Sequence, residues 1–217
     1  VIEREAIVEH LVKKETVTLT DILRARFKGV LEPIAGFLNR LGMMPNTATL
    51  LGLMGTAVGS IFLAMGQITV GGLIILIAAP MDALDGTMAR LRGESSEFGA
   101  FVDSVTDRYA ELLVFGGLIF YYVIRQDWLG VTLTYFAAAG SLLVSYIRAR
   151  AQSVGFESKV GMFSRVERYL VLIPCLIFNL PLIAVGVIAL FANLTALQRI
   201  LHVRSQAYEK MGLGGKK

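Results

Sequence analysis

Four aspartates stand inside what otherwise reads as membrane: Asp82, Asp85, Asp103 and Asp107, in the stretch MDALDGTMARLRGESSEFGAFVDSVTDR from Met81 to Arg108. Carboxylates at membrane depth are costly and mark function, so a fold for this chain must give them partners. Their spacing narrows how. Asp82 and Asp85 are three apart and Asp103 and Asp107 four apart, about 60° and about 40° around a helix axis, so each helix offers one carboxylate edge. The connection LRGESSEF is short, polar and contains Gly93, which suits a tight link between two antiparallel helices. The two edges then face each other. Four opposed carboxylates repel unless cations sit among them, and an all-oxygen set selects hard ions, Mg²⁺ or Mn²⁺, with Ca²⁺ also allowed. Gly86 and Ala89 extend the Asp82/Asp85 face with almost no side chain, leaving room for a ligand, and Arg90 reaches an anionic group on it.

The membrane reading rests on composition. Of 217 residues, 55% are hydrophobic and 18% charged, with a mean hydropathy of +0.64; this excludes a soluble domain and indicates one all-α integral membrane domain. Hydropathy predicts six transmembrane helices, at about 47–66, 70–90, 98–124, 129–151, 165–180 and 181–202. The connections near Gln67, Arg125-Gln126-Asp127 and Asn179 then share one side, which holds only Arg125 of the 21 Lys and Arg. The opposite side, with both termini and the aspartates, is expected to be cytoplasmic in a multi-pass cell-membrane protein.

Residues 1–17 read as a charged N-terminal extension, an upstream domain's tail or a processed end; 18–204 read as the membrane domain and 205–217 as a polar tail. Thr18-x-x-Asp21 resembles a capping box. After it, Ile22, Leu23, Phe27, Val30 and Leu31 alternate with Arg24, Arg26 and Lys28, an amphipathic juxtamembrane helix suited to an anionic lipid surface or to packing on its own protein. Pro33 is expected to bend or restart it. Gly52, Gly55 and Gly59 are spaced for close helix contact, within the molecule in preference to a dimer. Pro45-Asn46-Thr47-Ala48-Thr49 brings polar groups to the level of the aspartates, with Asn46 a candidate helix cap. The lone Cys175 cannot form an intrachain disulfide and reads as a buried small residue.

A second constellation is basic. Arg148 and Arg150 are two apart and diverge on a helix, so one of them points inward; Arg165 and Arg168 are three apart and share a face; Arg199 returns to the same level in the last span. Together they suit an anion such as a phosphate on a polar substrate. Positive-inside anchors on lipid head groups are the alternative.

Asp82-x2-Asp85-Gly86-x2-Ala89-Arg90-x8-Gly99-x3-Asp103-x3-Asp107 is the full signature of the CDP-alcohol phosphatidyltransferases, which the chain resembles from about Pro45 to Arg199. Through Ser145-Tyr146-Ile147, Ala149-Arg150-Ala151 and Arg165-x2-Arg168 it looks most like the family's bacterial phosphatidylinositol phosphate synthases. The resemblance implies transfer of a phosphatidyl group from CDP-diacylglycerol to a phosphorylated alcohol, inositol 1-phosphate before others, with release of CMP. It implies two Mg²⁺ or Mn²⁺ ions on Asp82, Asp85, Asp103 and Asp107, the last also the general base. It places the CDP-lipid at Asn46, Thr47, Ala48, Thr49, Gly86, Ala89, Arg90 and Ser96. The acceptor phosphate falls to Arg148, Arg165, Arg168 and Arg199, with Arg150 beside them. A homodimer is expected, and no nucleic-acid partner.

Two positions depart from the inositol-phosphate branch. Arg148 stands where those enzymes resemble one another in carrying Lys, and Val166 where they carry Pro. The first keeps the charge, whereas the second leaves glycerol 3-phosphate open as acceptor; an archaeal ether-lipid donor is open as well. Outside the family, membrane prenyltransferases also hold diphosphates through aspartates, but in two separated motifs where this chain has one. A divalent-ion carrier explains buried carboxylates but gives the arginines no task.

Overall fold

A computed structural model describes residues 19–94, 96–158, 160–161 and 163–211. The predicted N-terminal extension and the Thr18 cap lie outside the described residues. Among those residues all regular structure is helical: α1 Leu19–Arg40, α2 Pro45–Ala64, α3 Ile68–Ala78, α4 Pro80–Arg92, α5 Glu97–Ile124, α6 Trp128–Ser153, α7 Arg165–Ile177 and α8 Pro181–Lys210.

Four stretches are long and apolar enough to cross a membrane: α2, α3 with α4, α6 and α8. Two of the six predicted spans fall short of that standard. α5 carries Asp103, Asp107, Arg108 and Glu111 along its length, and α7 has 13 residues, a length of roughly 20 Å against a hydrocarbon core of about 30 Å. The predicted second span is also interrupted. Pro80 opens α4 directly after Ala79, because proline offers no N–H to the preceding turn and its ring crowds the carbonyl four residues back.

Other local expectations are revised. α1 runs through Pro33 without ending there. Met44, not Asn46, caps α2, with Pro45 at its first position, where a missing N–H costs nothing. α8 continues to Lys210, so the first part of the expected tail is helix. It staples the segment that follows α6: Lys210 Nζ donates to Gly155 O at 2.7 Å and Gln206 Nε2 to Glu157 O at 2.6 Å.

The helices pack in a closed circuit of neighbours. α2 lies along α3, α4 and α5; α6 joins α5 to α8; α7 joins α8 back to α3. Glycines make the α2 contacts possible. A Cβ at Gly52 would lie 3.1 Å from Met81 Cβ, at Gly55 2.9 Å from Ala78 Cβ, and at Gly59 2.7 Å from Ile75 Cγ1, so the small-residue stripe serves packing within the molecule. One half of the interior is apolar, built on Leu63, Ile75, Val114, Leu118, Leu176 and Ile188, with Cys175 packed at its edge. α1 sits apart, pressing Leu31, Ala35 and Leu38 onto Leu84 and Met88 of α4 while leaving Phe27, Val30, Ile34, Phe37 and Leu41 exposed. Asn39 Nδ2 donates to Met88 O at 3.2 Å and Arg92 Nε to Asn39 Oδ1 at 2.8 Å, tying α1 to the end of α4.

Candidate active site

The charged half of the bundle begins where α4 turns into α5. Gly93 ends α4 with φ +69°, the left-handed conformation glycine adopts freely, and its N–H and that of Glu94 close back onto Arg90 O and Ala89 O. Ser96 then caps α5, its hydroxyl accepting from Gly99 N at 3.0 Å. The link is as short as predicted, yet α4 and α5 are not among the closely packed helix pairs; each packs on α2 instead. The gap between them holds the aspartates. One oxygen each from Asp82, Asp85 and Asp103 lie within 4.8 Å of one another.

Asp85 is buried and takes hydrogen bonds from Thr49 Oγ1, reaching over from α2, and from Gly86 N. Asp107 stands outside the trio, held by a different partner. Arg165 Nη1, on the first turn of α7, lies 2.7 Å from Asp82 Oδ2 and 2.5 Å from Asp107 Oδ1. A narrow cleft of about 20 Å³, room for a water or an ion, opens beside these groups, lined among others by Thr49, Asp82, Asp107, Arg165 and Tyr169.

Of the residues predicted for a CDP-lipid, Thr49 lines the cleft. Asn46 and Thr47 are exposed, Ala48 is buried against Leu84 and Met88, and Thr49 faces Asp85. A Cβ at Gly86 would meet only Arg90 Nη1, at 3.4 Å, so the space beside this glycine is open. Ala89 is half-buried, and Arg90 is exposed, donating to Thr87 Oγ1 at 2.9 Å.

The predicted acceptor arginines divide into two kinds. Arg148 and Arg150 are exposed at the end of α6, and Arg165 is half-buried over the aspartates. Arg168 and Arg199 are buried with donors engaged inside the protein. Arg168 forms a fork with Glu111, Nε to Oε1 at 2.8 Å and Nη2 to Oε2 at 2.9 Å. Arg199 donates to Val160 O at 2.9 Å and to Val144 O at 2.6 Å, holding the α6–α7 loop against α6. Glu111 is absent from the residues predicted above; the signal for it is the four-residue step from Asp107 along the same stripe of α5.

A hard cation with oxygens at about 2.0–2.6 Å spans the width of the trio. The four carboxylates exceed in charge the one arginine that bridges them, and no His or Cys joins them among the described residues, so the donor set fits Mg²⁺ or Mn²⁺. Carboxylates suited to hard cations, with an arginine beside them, can bind metal ions and an anionic group side by side.

The sequence profile of the CDP-alcohol phosphatidyltransferases matches residues 42–202. The chain is 34% identical to a phosphatidylinositol phosphate synthase of Streptomyces avermitilis, covering 88% of this chain and 84% of that one. It is 31% identical to an archaetidylinositol phosphate synthase of Pyrococcus horikoshii, covering 85% and 96%. The crystal structure of Mycobacterium tuberculosis phosphatidylinositol phosphate synthase with CDP-DAG bound superposes with a TM-score of 0.73 at 29% identity, over 80% of this chain and 93% of that one. The same enzyme has been solved in complex with manganese and citrate. This chain belongs to the CDP-alcohol phosphatidyltransferase family and is a transferase of phospholipid synthesis.

Proposed function

We propose that the protein transfers the phosphatidyl group of CDP-diacylglycerol to a hydroxyl of inositol 1-phosphate, releasing CMP. One observation carries this reading: Arg165 stands between Asp82 and Asp107, so a site for cations and a site for a phosphate adjoin at one mouth. Asp82, Asp85, Asp103 and Asp107 would hold two divalent ions, which would supply positive charge to the diphosphate while the bond from the lipid-bearing phosphorus to the bridging oxygen breaks and CMP leaves. Asp107 accepts the proton of the acceptor hydroxyl as that oxygen attacks the lipid-bearing phosphorus. Asn46, Thr47, Ala48, Thr49, Gly86, Ala89, Arg90 and Ser96 seat the nucleotide end of the donor. Gly86 serves by leaving space, Arg90 by its charge.

Arg148 and Arg165 reach the acceptor phosphate, with Arg150 beside them. Arg199 acts from behind, adding positive field while its donors stay on backbone carbonyls; the charge of Arg168 is balanced by Glu111. Six crossings, with both ends and the site on the cytoplasmic side, place the polar acceptor in water and the donor's chains in lipid. The exposed apolar stripe of α1 lies along the membrane surface, and two copies associate as a homodimer. The Pyrococcus relative supports a second donor, an ether-linked CDP-lipid, for the same chemistry. A divalent-ion carrier is disfavoured because the carboxylates lie at one end of the bundle with arginine over them.

The test is CMP release by purified protein with CDP-diacylglycerol and Mg²⁺, comparing myo-inositol 1-phosphate, glycerol 3-phosphate and free inositol. Release with inositol 1-phosphate alone is the expected result. Release with glycerol 3-phosphate instead keeps the mechanism and overturns the acceptor, and failure to bind any cytidine nucleotide overturns the mechanism.

A further inference from the structure

Glu111 has no part in the chemistry described so far, yet it is 6% exposed, and its partner Arg168 is 1% exposed, the largest of the fully buried side chains. Both carboxylate oxygens accept from the guanidinium, and Arg168 Nη1 donates to Phe163 O at 3.3 Å, so the arginine is directed from two sides. Asp103, Asp107 and Glu111 follow one another at four-residue steps on α5, and Arg165 and Arg168 share a face of α7. The side chains therefore form two rungs: Arg165 to Asp107 at the mouth, Arg168 to Glu111 one turn further in.

These rungs cross an unusual gap. α5 and α7 are not among the closely packed helix pairs, and the cavity lined by Asp107, Ala110, Arg165 and Tyr169 lies between them. α7 is seated on α3 and α8, and below the mouth the inner rung is the polar side-chain link from it to α5. A buried ion pair is a poor source of stability, since desolvating two charges offsets most of their attraction. What a two-bond fork supplies is direction.

We propose that Glu111 is a positioning residue of the transfer reaction: through Arg168 it fixes the first turn of α7, and so holds Arg165 over Asp107 and the acceptor's phosphate. The proposal rests on the transferase reading above and adds to it a residue outside the aspartate motif.

The test uses the purified full chain with CDP-diacylglycerol, Mn²⁺ and inositol 1-phosphate, measuring KM for each substrate, kcat and the melting temperature. Glu111→Gln is expected to raise KM for the acceptor at least tenfold while KM for the CDP-lipid stays within twofold. A second protein, Glu111→Leu with Arg168→Met, removes both charges and keeps apolar volume. It is expected to melt near the wild-type temperature and still show the raised acceptor KM, and it decides the matter if Glu111→Gln alone folds poorly. An acceptor KM within twofold of wild type in either variant overturns the proposal, because the pair would then be only a packing device. Wild-type protein that releases no CMP with any phosphorylated alcohol overturns the transferase reading and this proposal together, an outcome distinct from the first.

Discussion

A Cβ added at Gly55 or Gly59 would press on Ala78 or Ile75 at 2.9 or 2.7 Å, whereas one added at Gly86 would find only the tip of Arg90, at 3.4 Å. The same residue type is used in opposite ways on two neighbouring helices, α2 and α4. In the α2/α3 seam, glycine lets two backbones approach, and the protein itself fills the space. In the aspartate motif only the tip of Arg90 approaches, which leaves room for the proposed CDP-lipid donor. The seam is closed by packing; the mouth is held open by α4 and α5 standing apart, each on α2.

The sharpest way to break this comparison is at the mouth. Asp107→Asn is expected to lower CMP release by about 10³-fold, within the range of a lost general base, while the melting temperature moves little; full activity would remove Asp107 as the base. Divalent ions come next. Mn²⁺ at 100 times its dissociation constant is expected to stabilise the wild type by about 2.7 kcal/mol in thermal melting, and Asp85→Asn by clearly less. Equal stabilisation of both would take the metal away from the trio.

The seam is then tested by adding one methyl. Gly59→Ala is expected to cost about 1–3 kcal/mol through overpacking and to leave both KM values unchanged in the protein that remains folded. The smallest effect is the most telling. Gly86→Ala is expected to stabilise the helix by about 0.5–1 kcal/mol while raising KM for the CDP-lipid several-fold. A Gly86→Ala protein with an unchanged donor KM would show that the open space is not the donor's.

The acidic half of the site was legible in the sequence because its code is local. Three- and four-residue steps fix a helix face, and Gly93 marks the turn between the two faces. The basic half was legible only as composition at one level of the bundle. Spacing put Arg165 and Arg168 on one face, but it does not say which partner a long side chain finds. That depends on Glu111, on a helix 57 residues away, and on the carbonyls of Val144 and Val160 for Arg199. Hydropathy located the helices but not their breaks: Pro80 sits inside an apolar run that reads as one span, and only backbone geometry divides it. α5 shows the converse, where charges that a hydropathy window penalises are the reason for the helix.

That break has a mechanical consequence. With no hydrogen bond from residue 80 to the preceding turn, α3 and α4 are joined by a joint softer than either rod. α3 lies in the apolar body of the bundle and α4 carries Asp82 and Asp85. The missing hydrogen bond thus falls at the boundary between the packed apolar helix and the helix that carries the first two carboxylates, where the backbone changes from filling the bundle to presenting charge.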